Sequence, residues 1–109
     1  MRIELLYFED CPSYRALLPE LHALLKREGI DDEIEMRSVE TLDAAEEEHF
    51  LGSPTLRING EDIDPDAAPR TDFGMKCRLY RSEEGTFAIP PERWIVDALR
   101  RSNQEGKDE

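Results

Sequence analysis

The spacing of apolar and polar positions predicts a β-α-β-α order in the first half of the chain. Residues 2–8 form a mostly apolar run that is typical of a buried strand, and residues 12–28 then carry apolar side chains at helical spacing. Residues 33–39 alternate as a half-buried strand does. Thr41 can then cap a short helix that ends near His49, because its hydroxyl can accept a backbone N–H of the first turn.

The second half of the chain is less regular. Residues 55–59 predict a strand that closes with an Asn-Gly turn, whereas residues 61–76 carry prolines and acids without any period and predict a long loop. Residues 77–81 predict a short strand, and residues 86–89 are extended. A proline pair then opens a last helix with four apolar residues on one face: Trp94, Ile95, Ala98 and Leu99.

These elements predict a single α/β domain over residues 1–101, with a small mixed sheet flanked by helices and no internal repeat. The first β-α-β unit must cross over with a right hand, so its two strands are parallel, and the later strands form a hairpin-like addition. Residues 102–109 are polar, and we predict that they form a disordered tail.

The net charge of the chain indicates which classes of binding partner are unfavourable. The chain has 109 residues, with 26 Asp and Glu against 14 Lys and Arg, and its formal net charge is −12. A field of this sign repels phosphate backbones and anionic lipids, so we expect neither a nucleic acid nor a membrane as partner. No apolar run is long enough to cross a bilayer, and the first residues lack the pattern of a secretory signal. We therefore expect a cytoplasmic protein.

The two cysteines, Cys11 and Cys77, are the candidate reactive residues. Two cysteines are too few for a disulfide-stapled scaffold, and their spacing fits no zinc motif, so we expect free thiols, no metal and no cofactor. Cys11 stands at the start of the first helix, where backbone N–H groups favour a thiolate. Arg15 also favours the thiolate, while Glu9 and Asp10 oppose it. Position alone leaves open whether Cys11 is a nucleophile or a small buried residue.

Two segments resemble a known family. Residues 11–19, Cys-Pro-Ser-Tyr-Arg-Ala-Leu-Leu-Pro, are similar to the active-site segment of thioredoxin-fold proteins, in which a nucleophilic cysteine opens a helix that a later proline kinks. Residues 52–60, Gly-Ser-Pro-Thr-Leu-Arg-Ile-Asn-Gly, are similar to the strand of that family that follows a cis proline. The resemblance covers residues 1–60 and implies a thioredoxin-like βαβαββα fold in which Cys11 is the nucleophile.

The resemblance also implies a substrate site at the end of the sheet. If Pro54 is cis and contacts Cys11, the backbone at Ser53 is placed to pair with an extended thiol substrate as an added strand. Tyr14 would form a wall of this site. The expected substrate-binding residues are Pro12, Tyr14, Ser53, Pro54 and Thr55.

The chain departs from this family at Tyr14, which stands where a second, resolving cysteine is expected. Three mechanisms remain open: a mixed disulfide between Cys11 and a small thiol, a disulfide with Cys77, or no redox chemistry. Antiparallel pairing of residues 77–81 with residues 55–59 would place Cys77 roughly 10 to 15 Å from Cys11. A disulfide needs Cα atoms within about 7 Å. Cys77 is therefore expected as a small buried residue beside Leu79 and only secondarily as a catalytic partner.

Residues 52–60, 73–80 and 90–92 also resemble small bacterial thioredoxin-like proteins that are often labelled as related to organomercurial lyase. That label implies protonolysis of a carbon–mercury bond by two thiolates and a carboxylate, which Cys11, Cys77 and Asp10 could supply. We interpret the label as inherited through resemblance.

The function predicted from the sequence is thiol–disulfide oxidoreduction by Cys11 alone. Its partner would be a protein thiol or a low-molecular-weight thiol or disulfide such as glutathione. One alternative is a redox-silent binding or scaffold module, which could form a homodimer. A second alternative is the handling of an organomercurial or a metal–thiolate species.

Overall fold

The computed structural model describes the backbone of residues 1–107 and the side chains of residues 1–103. Over these residues the chain forms one four-stranded mixed sheet, a separate two-stranded hairpin and three helices. In chain order the elements are β1 (Ile3–Tyr7), α1 (Ser13–Arg27), β2 (Ile34–Ser38), α2 (Leu42–Glu47), β3 (Thr55–Ile58), β4 (Glu61–Asp62), β5 (Tyr80–Ser82), β6 (Gly85–Phe87) and α3 (Glu92–Lys107).

The sheet has the strand order β2-β1-β3-β4. β1 pairs parallel with β2 and antiparallel with β3, which in turn pairs antiparallel with β4. The predicted α/β class with a small mixed sheet is confirmed. The central position of β1 brings the end of β1 and the start of β3 together, since Leu6 lies opposite Thr55 in the register.

The main core lies between one face of the sheet and helices α1 and α3. Ile3 and Leu5 of β1 alternate onto this face, as a strand requires, and pack with apolar residues that recur at helical spacing. Those residues are Leu17, Leu21, Leu24 and Leu25 of α1 and Ile95 and Leu99 of α3. Nearly all of them are buried completely, so this face contributes most of the apolar burial that holds the sheet and the helices together.

The opposite face of the sheet carries a smaller core and a buried charge. Leu6 packs there with Ala45 of α2 and with Phe50. Glu4 is also buried, and its carboxylate accepts a hydrogen bond from Arg37 at 2.7 Å. Arg37 donates a second hydrogen bond of 2.7 Å to Glu48, which follows α2. These three charged side chains therefore join β1 and β2 to the end of α2.

The limits of the first two helices follow local rules. Pro12 is the N-cap of α1 rather than its first residue, and Gly29 continues the turn after the helix with a φ of +69°. Thr41 caps α2 as predicted: its hydroxyl accepts the backbone N–H of Ala44 at 3.0 Å. Side-chain capping supports α2, which at six residues is too short to be stable by itself.

The second half departs from the prediction at three points. The segment predicted as a loop over residues 61–76 begins with β4, which continues the hairpin from β3. Residues 77–81 do not pair with β3, because β5 pairs with β6 in a separate hairpin. Helix α3 continues through residues 102–107 of the predicted tail, and residues 108 and 109 lie outside the described residues. Over residues 1–107, no helix is both long and apolar enough to cross a membrane.

The cap of α2 is testable by substitution. We expect Thr41→Ala to lower the free energy of unfolding by about 1 kcal/mol, because the Ala44 N–H loses its acceptor. Thr41→Ser, which keeps a hydroxyl, should stay near the parent protein. Urea denaturation measures both variants, and equal stabilities for the two would contradict the capping role.

Candidate active site around Cys11 and Cys77

Cys11 and Cys77 form a disulfide, with their Cα atoms 5.8 Å apart. The predicted separation of roughly 10 to 15 Å is therefore wrong, and so is the expectation of two free thiols. The reason is the path of the chain before β5: Cys77 forms a parallel bridge with Ser53 and does not begin a strand antiparallel to β3. Cys77 is exposed, whereas the prediction buried it; the neighbouring Leu79 is also 55% exposed.

Cys11 is held at the junction of β1 and α1. Its backbone N–H donates to the carbonyl of Phe8 at 3.2 Å, which turns the chain from the strand into the helix. The Cys11 side chain is completely buried. Its Sγ atom lies 3.4 Å from the carbonyl oxygen of Ser53 and 3.9 Å from Oγ of Ser13, the first residue of α1. The sulfur therefore sits between a helix start and the beginning of β3.

The Ser53–Pro54 peptide bond is cis, which confirms the prediction from the sequence. The contact to Cys11 is made by the carbonyl oxygen of Ser53. The Oγ atom of Ser53 accepts the backbone N–H of Phe8 at 3.4 Å, and the hydroxyl of Tyr80 donates to the carbonyl of Pro54. Ser53 and Pro54 are both buried, so this segment is fixed on all sides.

The backbone of Ser53 is already paired with the protein's own chain. Its N–H donates to the carbonyl of Lys76 at 2.9 Å, and its carbonyl accepts the N–H of Arg78, also at 2.9 Å. The edge predicted to receive a substrate as an added strand is thus occupied by residues 76–78. The disulfide joins the middle residue of this segment, Cys77, to Cys11.

Gly52 permits this close approach. Its φ of +125° lies in a region that residues with a side chain rarely adopt. A Cβ atom at this position would lie 2.8 Å from the backbone oxygen of Lys76 and 3.0 Å from Cβ of Arg78. The glycine is therefore required both by its backbone conformation and by the segment that passes over it.

Arg78 anchors the segment beside the disulfide. Its guanidinium is almost fully buried and forms a bidentate pair with Asp62 of β4, at 2.8 and 2.9 Å. The Nη1 atom also donates to the hydroxyl of Thr55 at 3.2 Å, and Asp64 lies 3.7 Å from Nη2. The guanidinium carbon stacks 4.5 Å from the ring centroid of Tyr80. Four side chains from three parts of the chain thus meet around one cation.

Burial and charge act in opposite directions at this cluster. Burial, the largest influence, lowers the pKa of Arg78, but the hydrogen bond to Asp62 and the negative charges of Asp62 and Asp64 help to raise this pKa above its ordinary value. Burial raises the pKa of Tyr80, although the Arg78 cation opposes this shift. Arg78 therefore stays charged and Tyr80 stays protonated throughout the neutral range.

The remaining predicted site residues lie around the same end of the sheet. Pro12 is exposed at the start of α1, and Thr55 is buried, where its hydroxyl donates to the carbonyl of Gly52 at 2.6 Å. Tyr14 is buried, and its ring lies 4.4 Å from that of Tyr7. Its hydroxyl contacts neighbouring charges: it donates to Glu9 at 3.2 Å and accepts from Arg15 at 3.1 Å.

Arg15 and Glu9 form an ion pair of 3.2 Å at the surface. The hydrogen bond to Tyr14, ahead of the contribution of Glu9, raises the pKa of Arg15. The cation expected to favour a thiolate at Cys11 is thus engaged with Glu9 and Tyr14. The Ser13 hydroxyl lies 3.9 Å from the sulfur, and Cys11 directly precedes the N-terminal end of α1.

Asp72 holds the backbone before residues 76–78 in place through hydrogen bonds from Arg70 and Lys76. Hydrogen bonds from Arg70 and then from Lys76 hold the pKa of the Asp72 carboxyl well below its usual range. Arg70 donates two of these bonds, at 3.0 and 2.7 Å, and the Lys76 ammonium donates another at 2.8 Å. This surface cluster orients the backbone just before Cys77.

Sequence reasoning missed Arg78, Asp62 and Asp64. A signal was present: in a short strand with alternating sides, Arg78 and Tyr80 share one side, and Cys77 and Leu79 share the other. The prediction assigned the side with Cys77 and Leu79 to the core, so it assigned Arg78 to the solvent side. The acids of residues 61–64 were available as partners for a buried arginine, but nothing local indicated that these residues lie beside it.

Within the part of the chain that the structure describes, no group of three or more His, Cys, Asp and Glu side chains is arranged to hold a metal ion.

Comparisons of this chain with family models, with curated proteins and with solved structures give no match.

The approach of residues 76–78 to Gly52 is testable. Gly52→Ala should lower the free energy of unfolding of the oxidised protein by about 1–3 kcal/mol, because the new Cβ is strained in its backbone conformation and meets the Lys76 carbonyl. Gly74→Ala is the matched control, since a Cβ there meets no atom within 4 Å. Chemical denaturation compares the two, and an unchanged stability for Gly52→Ala would contradict the close approach.

The Asp72 cluster predicts a dependence on pH. The folded protein binds a proton at Asp72 less readily than the unfolded chain does, so the stabilisation from Asp72 is present at neutral pH and is lost as the pH falls below the ordinary value of about 3.9. The side-chain carboxyl carbon signal of Asp72 in NMR should therefore titrate below that of an ordinary aspartate. Arg70→Gln should raise its midpoint, while Arg81→Gln should leave it unchanged. A midpoint near the ordinary value in the parent protein would show that the contacts do not persist in solution.

Proposed function

We propose that this protein is a thiol–disulfide oxidoreductase of thioredoxin-like fold that works through the Cys11–Cys77 pair. The observation that carries the proposal is the asymmetry of the disulfide: Cys11 is completely buried at a helix start, and Cys77 is exposed. A disulfide with one accessible side is open to attack by an external thiolate at that side only.

The order of elements supports the fold part of the proposal. From β1 to β4 the chain follows a β-α-β-α-β-β order, and α3 completes βαβαββα once the β5–β6 hairpin is counted as an insertion. The cis bond before Pro54 and the position of Cys11 beside it add two local features of the expected site. These three features are independent of one another, because they arise from topology, peptide geometry and side-chain position.

The exchange step is a displacement at Cys77. An external thiolate attacks Sγ of Cys77, forms a new S–S bond with it and breaks the bond to Cys11, whose Sγ leaves with the electron pair and then takes up a proton. A second external thiolate then attacks the external sulfur of the mixed disulfide and releases Cys77 as a thiolate. Two external thiols are oxidised to one disulfide, and the protein disulfide is reduced to two thiols.

Cys11 is suited to be the leaving group. The start of α1 places backbone N–H groups and the positive end of the helix dipole near its sulfur, and the Ser13 hydroxyl lies 3.9 Å away. In this proposal Cys77 exchanges with external thiols, and Cys11 is the leaving group when the protein disulfide opens. The sequence alone suggested attack by Cys11, because nothing in it indicated that Cys77 reaches the same site.

A redox-silent role is the competing proposal, and one observation favours it. The disulfide ties residues 76–78 to the end of the sheet, so the bond could serve as a structural clamp for a long connection. Handling of organomercurials would use the same two sulfurs and stays a prediction, tested by release of inorganic mercury in excess thiol.

The two main proposals differ in how the disulfide responds to thiols in the native protein. For an oxidoreductase, glutathione should open the bond while circular dichroism shows a folded protein, and oxidised glutathione should close it again. Glutathionylation should be faster in Cys11→Ser, which retains the exposed Cys77, than in Cys77→Ser, which retains the buried Cys11. Intact-mass spectrometry follows both reactions.

A bond that opens only when the protein unfolds would establish the structural clamp instead. Faster labelling of Cys11 than of Cys77 would contradict the assignment of roles. The double variant, with both cysteines replaced by serine, controls for any gain in mass that does not involve a cysteine.

A further inference from the structure

Residues 76–78, which we call the resident strand, are held by three different kinds of contact. The first is the disulfide from Cys77 to Cys11. The second is the pair of backbone hydrogen bonds to Ser53. The third is the buried guanidinium of Arg78. Only the first of these is lost when the disulfide is reduced.

The Arg78 contact is built from atoms that do not take part in the redox step. Its partners are the two carboxylate oxygens of Asp62, the hydroxyl of Thr55 and, at 3.7 Å, the carboxylate of Asp64. The side chain of Arg78 is 1% exposed. Pulling the guanidinium out would leave the carboxylates of Asp62 and Asp64 without the cation they surround, and both are largely buried. The anchor therefore opposes release of the resident strand whether or not the disulfide is present.

We infer that Arg78 is the positioning residue of the cysteine pair: it keeps the resident strand on Ser53 in both redox states and so keeps Cys77 beside Cys11 after reduction. A segment that moved freely on a long loop would present its thiol at an effective concentration on the order of mM or lower. A thiol held in place re-forms the disulfide far more readily. The two cysteines then act as a local dithiol although they are distant in the chain. This inference rests on the proposed function only in requiring that the bond can be reduced in the folded protein.

The same anchor decides which thiols can react. Because the N–H and the carbonyl of Ser53 remain paired with Lys76 and Arg78, an extended peptide cannot add to that edge as a strand. Partners are restricted to thiols that reach Cys77 from the solvent side. Low-molecular-weight thiols, and cysteines on flexible chains that need no backbone pairing, meet this requirement.

Amide hydrogen exchange tests the anchor without any substitution. We expect the N–H groups of Ser53 and Arg78 to stay protected after the bond is reduced with dithiothreitol, because their hydrogen bonds do not depend on it. The amides of Ile30 and Asn59, which donate to the carbonyls of Leu25 and Arg2, do not contact residues 76–78 and serve as an internal reference for global opening. Loss of protection at both Ser53 and Arg78 on reduction, with Ile30 and Asn59 unchanged, would overturn the inference.

The equilibrium with glutathione tests the consequence for the disulfide. We expect Arg78→Met to lower the effective concentration of the cysteine pair by about tenfold or more, and Arg78→Lys, which restores the charge without the bidentate geometry, to recover part of the loss. Asp62→Asn should act in the same direction from the partner side. Arg81→Met is the matched control, because Arg81 is exposed on β5.

The outcomes separate the two proposals. If glutathione cannot open the bond in the folded parent protein, the proposed function fails. If the bond opens normally but the effective concentration in folded Arg78→Met and Asp62→Asn equals that of the parent, the positioning role of Arg78 fails and the proposed function stands.

Discussion

The guanidinium of Arg78 is buried against Asp62, and the path of the chain after β4 depends on that ion pair. A cation removed from water must be matched by acceptors at the same place, so residues 62–64 and 78 have to meet at the end of the sheet. Once they meet, Cys77 lies beside Ser53 and the disulfide to Cys11 follows. The candidate site is therefore a consequence of a charge pair that is not itself reactive.

The two sulfurs are positioned by different parts of the structure. Cys11 is placed by elements that are close in the chain: β1 ends, the chain turns on the Phe8 carbonyl, and α1 begins. Cys77 is placed by contacts to residues far away in the chain, through Ser53 on one side and Asp62 on the other. The result is one completely buried and one exposed cysteine joined by a single disulfide.

Features that depend on neighbouring residues were predicted correctly from the sequence, whereas features that depend on contacts between distant residues were not. The strands and helices up to residue 60, the cap at Thr41 and the cis bond before Pro54 were predictable, since period, capping and local motif act over a few residues. The placement of residues 61–82 was not, because Arg78 can be read as an outward residue of an ordinary strand. Only the acids around it make the inward orientation favourable, and their proximity is a property of the folded chain.

The amino-acid sequence by itself determined that this is a mixed α/β chain with a cysteine at a helix start and a proline-led strand beside it. Alternation and helical spacing encode these features locally, and the hydrophobic effect then selects which faces are buried. Only the tertiary structure decided that Cys77 meets Cys11, that residues 76–78 occupy the edge at Ser53, and that Arg78 points inward. These outcomes depend on an ion pair between residues that are distant in the chain. Burial of the Arg78 cation is favourable only when acceptors from the other segment compensate for its lost hydration, and no local sequence pattern indicates that they do.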